Sequence, residues 1–232
     1  MKNYEYILID LDDTIFDFKK GEKVSLSNVL KMHNYNICEN EILEFSKLNE
    51  RYFQMYASGA ISRDEFHSKR FKEFLDSLNL NLDAGIVDKE YMDELSNSAE
   101  FVDGAYEFIS KLKADNYRLF IASNGMHEIQ QNRLKKAGIF DYFEKVFVSS
   151  KIGFNKPKKE FFDYIFNSLS DFEKSKYIMI GDRIDSDIIG ANNAGIDSIF
   201  FNRKNEKIKV NTTCEASSFD EIYDKLVNLK NM

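Results

Sequence analysis

A chain of 232 residues, 43% of them apolar, has enough nonpolar material to bury a core in one large domain or two modest ones, which argues against disorder. Its net charge of -7 argues against a general binder of nucleic-acid polymers or anionic membranes, since neither would be attracted over most of the surface. Only Cys38 and Cys214 are present, far apart and without ligand spacing, so a disulfide framework or zinc site is not expected and a reducing, cytoplasmic setting is.

The first residues, Met1-Lys2-Asn3-Tyr4-Glu5, lead into the apolar run Tyr6-Ile7-Leu8-Ile9, which Asp10 interrupts too early for a signal-peptide core. No stretch is long enough to span a membrane. A short, continuously apolar run reads as a strand buried on both faces, the form a parallel strand takes. It ends in Asp10-Leu11-Asp12-Asp13-Thr14. Three carboxylates so close repel one another, and the cluster is costly unless a cation or substrate uses it.

From about Phe16 to Asn97 the apolar spacing is helical throughout, with Leu26, Val29 and Leu30 on one face, then Phe45, Leu48 and Tyr52, then Phe71, Phe74, Leu75 and Leu78. Ser62-Arg63-Asp64-Glu65 has the form of a capping box and makes Ser58-Gly59-Ala60-Ile61 the turn before a helix. Residues 16–97 are therefore expected to form a helical cap inserted into a core made of 1–15 and 98–232. Both connections of such an insert leave near the acidic cluster, where a lid would be hinged.

Beyond the insert, strand and helix alternate. Tyr117-Arg118-Leu119-Phe120-Ile121-Ala122, Lys145-Val146-Phe147-Val148, Tyr177-Ile178-Met179-Ile180 and Ser198-Ile199-Phe200-Phe201 read as four further strands, making five. Gly138 and Gly195 stand where helices end, and the last helix shows Phe219, Ile222, Leu226 and Leu229 on one face. The first strand ends in Asp10, the second in Ser123-Asn124-Gly125 and the fourth in Gly181-Asp182, and Lys156-Pro157 precedes a helix, with proline suited to its first turn. In open α/β sheets, ligands bind just beyond such carboxyl ends.

Each piece alone is weak. An isolated Asp-x-Asp is as often a cap or turn, and Ser-Asn-Gly is more often only a helix start. In order, however, Asp-x-Asp-x-Thr, a helical insert, Ser-Asn, Lys-Pro and Gly-Asp-x-x-x-x-Asp resemble the haloacid-dehalogenase-like hydrolase superfamily over nearly the full length. Ser58-Gly59-Ala60-Ile61, Ser123-Asn124-Gly125 with Gln130-Gln131-Asn132-Arg133-Leu134, and Lys156-Pro157-Lys158-Lys159 look like its bacterial pyrimidine nucleotidases. Arg183 departs from the pattern, since a small or hydroxyl residue is usual after the aspartate.

The resemblance implies a Rossmann-like, three-layer α/β core with a parallel five-stranded sheet in the order 5-4-1-2-3, because Asp10 and Asp182 must share a metal while Ser123 touches the same phosphate. It implies Asp10 as nucleophile and Asp12 as acid and base. Lys156, Ser123 and the Asn124 backbone would hold phosphate. Mg2+ would be bound by Asp10, Asp12, Asp182 and Asp187. The expected activity is hydrolysis of a small phosphomonoester, a pyrimidine nucleoside 5'-monophosphate above others. A 2-haloacid dehalogenase, or a phosphoacceptor signalling module, is the alternative. Phe16, Phe18, Tyr52, Phe53 and Tyr56 are read as core before substrate contacts, and His33, His67 and His127 share no ligand spacing.

Overall fold

The strand Tyr6–Ile9 (β1) is buried at every position, as a strand with neighbours on both edges and cover on both faces must be. It opens a chain whose computed structural model describes residues 4–231, without the side chains of 229–231. The expected place of Leu229 on the last helix, and Met1, Lys2, Asn3 and Met232, lie outside the described residues. Four helices follow: α1 (Phe18–Met32), α2 (Glu39–Ala57), α3 (Arg63–Ser77) and α4 (Ala84–Ser96). Then come α5 (Ala105–Ala114), β2 (Arg118–Ser123), α6 (His127–Lys136), β3 (Lys145–Val148), α7 (Ser149–Ile152), α8 (Lys159–Leu169) and β4 (Tyr177–Gly181). The chain closes with α9 (Ile189–Ala194), β5 (Asp197–Phe201), β6 (Cys214–Ala216) and α10 (Phe219–Asn231).

Among the described residues the strands form one parallel sheet in the order β3-β2-β1-β4-β5-β6. The five expected strands are neighbours in the expected order, but the sheet has six strands. The extra one, Cys214–Ala216, pairs with β5 at the edge. It is three residues long and its central Glu215 is exposed, so it offers neither an apolar run nor a clear alternation to a sequence reading.

Successive side chains of a strand point to opposite faces, and the two faces here build separate cores. Ile7 and Ile9 of β1, with Leu119, Ile121, Ile178, Ile180 and Ile199, pack against α5 and α10 through Phe108, Ile109, Phe219 and Ile222. Leu8, Phe120 and Met179 face Phe161, Phe162 and Ile165 of α8. Helices on both faces give the three-layer α/β architecture. Pro157 lies just before Lys158, the N-cap of α8, and so outside the helix's first turn.

The chain divides into two compact units, Met1–Asp17 with Ala99–Met232, and Phe18–Ser98. The first carries the sheet. The second is the helical unit, α1 to α4, around Leu26, Val29, Leu30, Phe45, Phe71, Phe74, Val87 and Tyr91. Ser62 and Glu65 form the capping box at the start of α3, the Ser62 hydroxyl accepting from the Glu65 N–H and the Glu65 carboxylate from the Ser62 N–H. No helix among the described residues is long and apolar enough to cross a membrane, and Cys38 and Cys214 form no disulfide.

The helical unit also buries charge. Arg70, 3% exposed, donates to Asn49 Oδ1 (2.6 Å) and Asp88 Oδ1 (2.7 Å), and Asn49 donates on to Glu22 Oε1 (2.7 Å). The Phe66 ring lies 4.4 Å from the guanidinium carbon. Burial alone would raise the pKa of Asp88, but the hydrogen bond with His67 and the charge of Arg70 take it below its ordinary value of 3.8. A carboxyl depressed on folding stabilises the fold above its unfolded pKa and loses that contribution as pH falls through the folded one. We expect Asp88→Asn to lower the melting temperature at pH 7 and to flatten its decline below about pH 4. An Asp88→Asn melting curve parallel to wild type across that range would remove Asp88 from the acid sensitivity of this unit.

Candidate active site

Asp10 directly follows β1, and its N–H donates to the Ile180 carbonyl (2.9 Å), extending the β1–β4 pairing one residue past the strand. Its carboxylate is thereby fixed at the carboxyl edge of the sheet. Asp182 leaves the neighbouring strand just after Gly181. A Cβ on Gly181 would overlap the Asp187 carboxylate, so only glycine lets the wide turn Ile184–Ile188 bring Asp187 back against β4. Each of Asp10, Asp182 and Asp187 offers an oxygen, all within 4.8 Å of one another.

Lys156 is buried beside two of them, Asp10 and Asp187. Its ammonium donates to Asp10 Oδ1 (2.7 Å), Asp187 Oδ1 (2.7 Å) and the Ala122 carbonyl (2.5 Å). Burial works against its charge, but the Asp10 and Asp187 carboxylates outweigh it and raise its pKa, so the ammonium stays protonated. Asp10 is pushed well up by burial, against the pull of Lys156, with Asp187, Asp182 and Asp12 adding repulsion. Burial, then Asp187 and Asp13, push Asp182 up to about 7, while the Thr14 hydroxyl and Arg183 pull the other way. Lys156 pairs with Asp10 and Asp187 but not with Asp182, and the three side chains offer only oxygen ligands. That donor set fits a hard divalent cation.

The phosphate-binding candidates meet at the same edge. Asn124 Nδ2 donates to the Lys156 carbonyl (2.9 Å), and the Lys156 N–H donates back to Asn124 Oδ1 (2.8 Å). This two-way clamp ties the loop after β2 to the loop before α8. Ser123 Oγ accepts from the Gly125 N–H (3.1 Å) and from Gln130 Nε2 (3.1 Å), leaving the hydroxyl proton for another acceptor. Asp12 is held apart from Lys156: Oδ2 accepts from Gln130 Nε2 (2.6 Å) and Oδ1 pairs with Arg133 Nη1.

Sequence reasoning gave no roles to three residues that shape this site. Thr14 Oγ1, fully buried, donates to Asp182 Oδ1 (3.1 Å), and its place in Asp-x-Asp-x-Thr could have suggested it. Gln130 and Arg133 are the others; they stood only within a stretch that resembled relatives. Arg183, the departure from the family pattern, turns its guanidinium onto Asp185, with contacts of 3.0 and 2.8 Å. Phe16 is fully buried and packs on Phe101, whereas Phe18, Tyr52, Phe53 and Tyr56 of the helical unit are half-buried.

A family model described as haloacid dehalogenase-like hydrolase matches residues 7–201. The HAD-hydrolase YfnB of Bacillus subtilis is 30% identical over 233 residues, covering 100% of this chain and 98% of that protein. Its crystal structure bound to magnesium superposes with a TM-score of 0.91, covering 97% of this chain and 99% of that one. The pyrimidine 5'-nucleotidase PynA of Streptococcus pneumoniae is 30% identical, covering 96% of this chain and 95% of that protein. The pyrimidine 5'-nucleotidase YjjG of Escherichia coli is 26% identical over 86% of each. With the family model spanning most of the chain and these similarities running over nearly its whole length, the protein belongs to the haloacid dehalogenase-like hydrolase family and is an enzyme among its phosphatases.

Proposed function

We propose that the enzyme is a magnesium-dependent phosphomonoester hydrolase that works through an aspartyl-phosphate on Asp10 and prefers pyrimidine nucleoside 5'-monophosphates. The observation that supports it most is the convergence of Asp10, Asp182 and Asp187, two of them bonded to the Lys156 ammonium, at the strand ends where such sheets bind ligands. An anionic nucleophile can approach an anionic phosphate only where that repulsion is cancelled.

In the first step, an Asp10 carboxylate oxygen forms a bond to phosphorus as the bond from phosphorus to the leaving oxygen breaks. The leaving oxygen takes that electron pair and a proton from Asp12, and departs as an alcohol. In the second, Asp12, now a carboxylate, takes a proton from the water that attacks phosphorus, so Asp10 is regenerated and inorganic phosphate leaves. Lys156 neutralises charge shared by Asp10 and the phosphoryl group, while the Ser123 hydroxyl and the Asn124 N–H hold its other oxygens. Asp10, Asp182, the Asp12 carbonyl and, less directly, Asp187 would hold magnesium, which supplies charge neutralisation at the phosphoryl oxygens when bound. The helical unit is assigned the selection of the leaving group, since phosphate is common to every substrate and discrimination must come from the rest. PynA and YjjG support the choice of pyrimidine nucleotides.

The test is a phosphate-release comparison of dUMP, dTMP, dAMP and a hexose phosphate, with magnesium, with calcium and with excess chelator. Chelation is expected to abolish turnover and magnesium to restore it, with calcium a poor substitute because its looser coordination misplaces the nucleophile. Magnesium is also expected to raise the melting temperature, since a ligand bound only by the folded state stabilises it. A misfit leaving group costs about 1–3 kcal/mol, so kcat/KM for dUMP and dTMP is expected to exceed the others by roughly ten- to two-hundred-fold. Equal or better values for the hexose phosphate would sink the nucleotide assignment, and full activity in chelator would sink the magnesium requirement.

A further inference from the structure

The helix α6 presents a polar sequence, His127-Glu128-Ile129-Gln130-Gln131-Asn132-Arg133-Leu134-Lys135-Lys136, yet it buries two of its most polar side chains. Gln130 and Arg133 are 2% and 1% exposed, while Asn132, Lys135 and Lys136 face solvent. Residues three apart share one face of a helix, so the pair acts from one side. Burying a guanidinium and an amide costs several kcal/mol unless each is bonded, and apolar side chains at these positions would pack without that cost. Their shared partner is Asp12. Gln130 Nε2 holds Oδ2 at 2.6 Å, Arg133 Nη1 holds Oδ1, and Arg133 Nη1 also donates to Gln130 Oε1 (3.0 Å), so the two donors brace each other. The guanidinium carbon lies 4.8 Å from the centroid of the buried Phe16 ring, which limits its motion. A Cβ on Gly125 would run into the Gln130 amide, so the turn after β2 also leaves room for it.

We propose that Gln130 and Arg133 are positioning residues that fix the Asp12 carboxyl group, one oxygen each, in the orientation from which it delivers its proton to the leaving oxygen. The inference rests on the phosphatase reading above and adds to it the means by which the acid is aimed. A carboxylate next to the nucleophile, with 29% of its side chain exposed, would otherwise rotate about two bonds, and proton delivery needs it within hydrogen-bond reach of one atom. Each oxygen gives one lone pair to its clamp and keeps another for the travelling proton. In phosphoryl transfer to Asp10, the broken bond's electron pair goes to the leaving oxygen, and the clamp ensures that the Asp12 proton arrives there with it.

A role in aiming the acid differs from a role in holding the fold by its dependence on the leaving group. An alkoxide needs a proton to depart, whereas p-nitrophenolate leaves without one. The experiment measures kcat/KM with magnesium for dUMP and for p-nitrophenyl phosphate in wild type, Gln130→Met, Arg133→Met and Asp12→Asn, with melting curves for each. Because kcat/KM reports the first irreversible step, it isolates transfer to Asp10 from the later hydrolysis. For Gln130→Met and Arg133→Met it is expected to fall on the order of 100-fold for dUMP and only several-fold for the aryl ester, the same pattern as Asp12→Asn. In an Asp12→Asn background, Arg133→Met is expected to add little further loss, since the group it aims is gone. Equal losses on both esters, or full additivity with Asp12→Asn, would overturn the inference and leave the phosphatase reading standing. A wild-type enzyme that hydrolyses neither ester would overturn both. If Arg133→Met does not fold, Gln130→Met alone decides, since it removes an uncharged group of similar volume.

Discussion

Asp10→Asn is expected to leave the protein folded and to lower phosphate release by about 10⁴-fold or more. The amide keeps the shape of the carboxylate but has no anionic oxygen to attack phosphorus, so the loss falls on the bond-forming step itself. Folding is expected to survive because the carboxylate is not a source of stability. Burial and three neighbouring carboxylates push the Asp10 pKa up, and Lys156 only partly offsets them. Removing its charge relieves that crowding, so the magnesium-free variant is expected to melt at or above the wild-type temperature. More than about one per cent of wild-type turnover in this variant would mean that another group attacks phosphorus.

Lys156→Met carries the second large effect, and here stability and activity fall together. The thioether fills much of the space of the lysine stem but withdraws the cation hydrogen-bonded to both Asp10 and Asp187. Breaking a buried ion pair from one side strands the other charge, at about 3–5 kcal/mol in typical cases. The metal-free variant is therefore expected to melt well below wild type, and magnesium is expected to recover part of the difference by supplying positive charge to the same carboxylates. Activity is expected to drop by about 10²–10³-fold even with saturating magnesium, the usual loss when a preorganised electrostatic contact to the reacting group is removed. Near-normal kinetics in a folded Lys156→Met protein would move that role elsewhere. Arg183, its guanidinium turned onto Asp185, is poorly placed to take it over.

The parts of the fold that could be read from the sequence are those in which a single local pattern decides the outcome. Buried parallel strands are continuous apolar runs, so β1 and β4 are visible as Tyr6–Ile9 and Tyr177–Gly181 almost to the residue, and the edge strand β3, Lys145–Val148, through its apolar Val146-Phe147-Val148. The Ser62 capping box and the helix-ending Gly138 and Gly195, both at positive φ, are likewise local signals. Cys214–Ala216 is a strand only because β5 lies beside it with an unpaired edge, which no window of sequence reports. Proline marks α8 only approximately, since the helix begins beyond Lys158.

The site follows the same division. Asp10 and Asp182 stand out because acids directly after apolar strands are conspicuous, and parallel order brings such ends together. Gln130 and Arg133 are hidden for the opposite reason. They lie 118 and 121 positions from Asp12, on a helix whose composition suggests exposure, and only the packed structure shows them turned inward. The helical unit's Arg70, bonded to Asn49 and Asp88, is concealed in the same way within a run of charged residues.

The measurement that bears most directly on an aspartyl-phosphate at Asp10 is acid quenching of the enzyme during turnover of dUMP with magnesium, followed by mass spectrometry of its peptides. The account predicts a phosphoryl group on the peptide containing Asp10-Leu11-Asp12-Asp13-Thr14, localised to Asp10, enriched when Asp12→Asn slows its hydrolysis and absent from Asp10→Asn. Phosphate release at full rate by the wild type with no phosphorylated peptide in either the wild-type or the Asp12→Asn enzyme, or with the phosphoryl group on another residue, would contradict it.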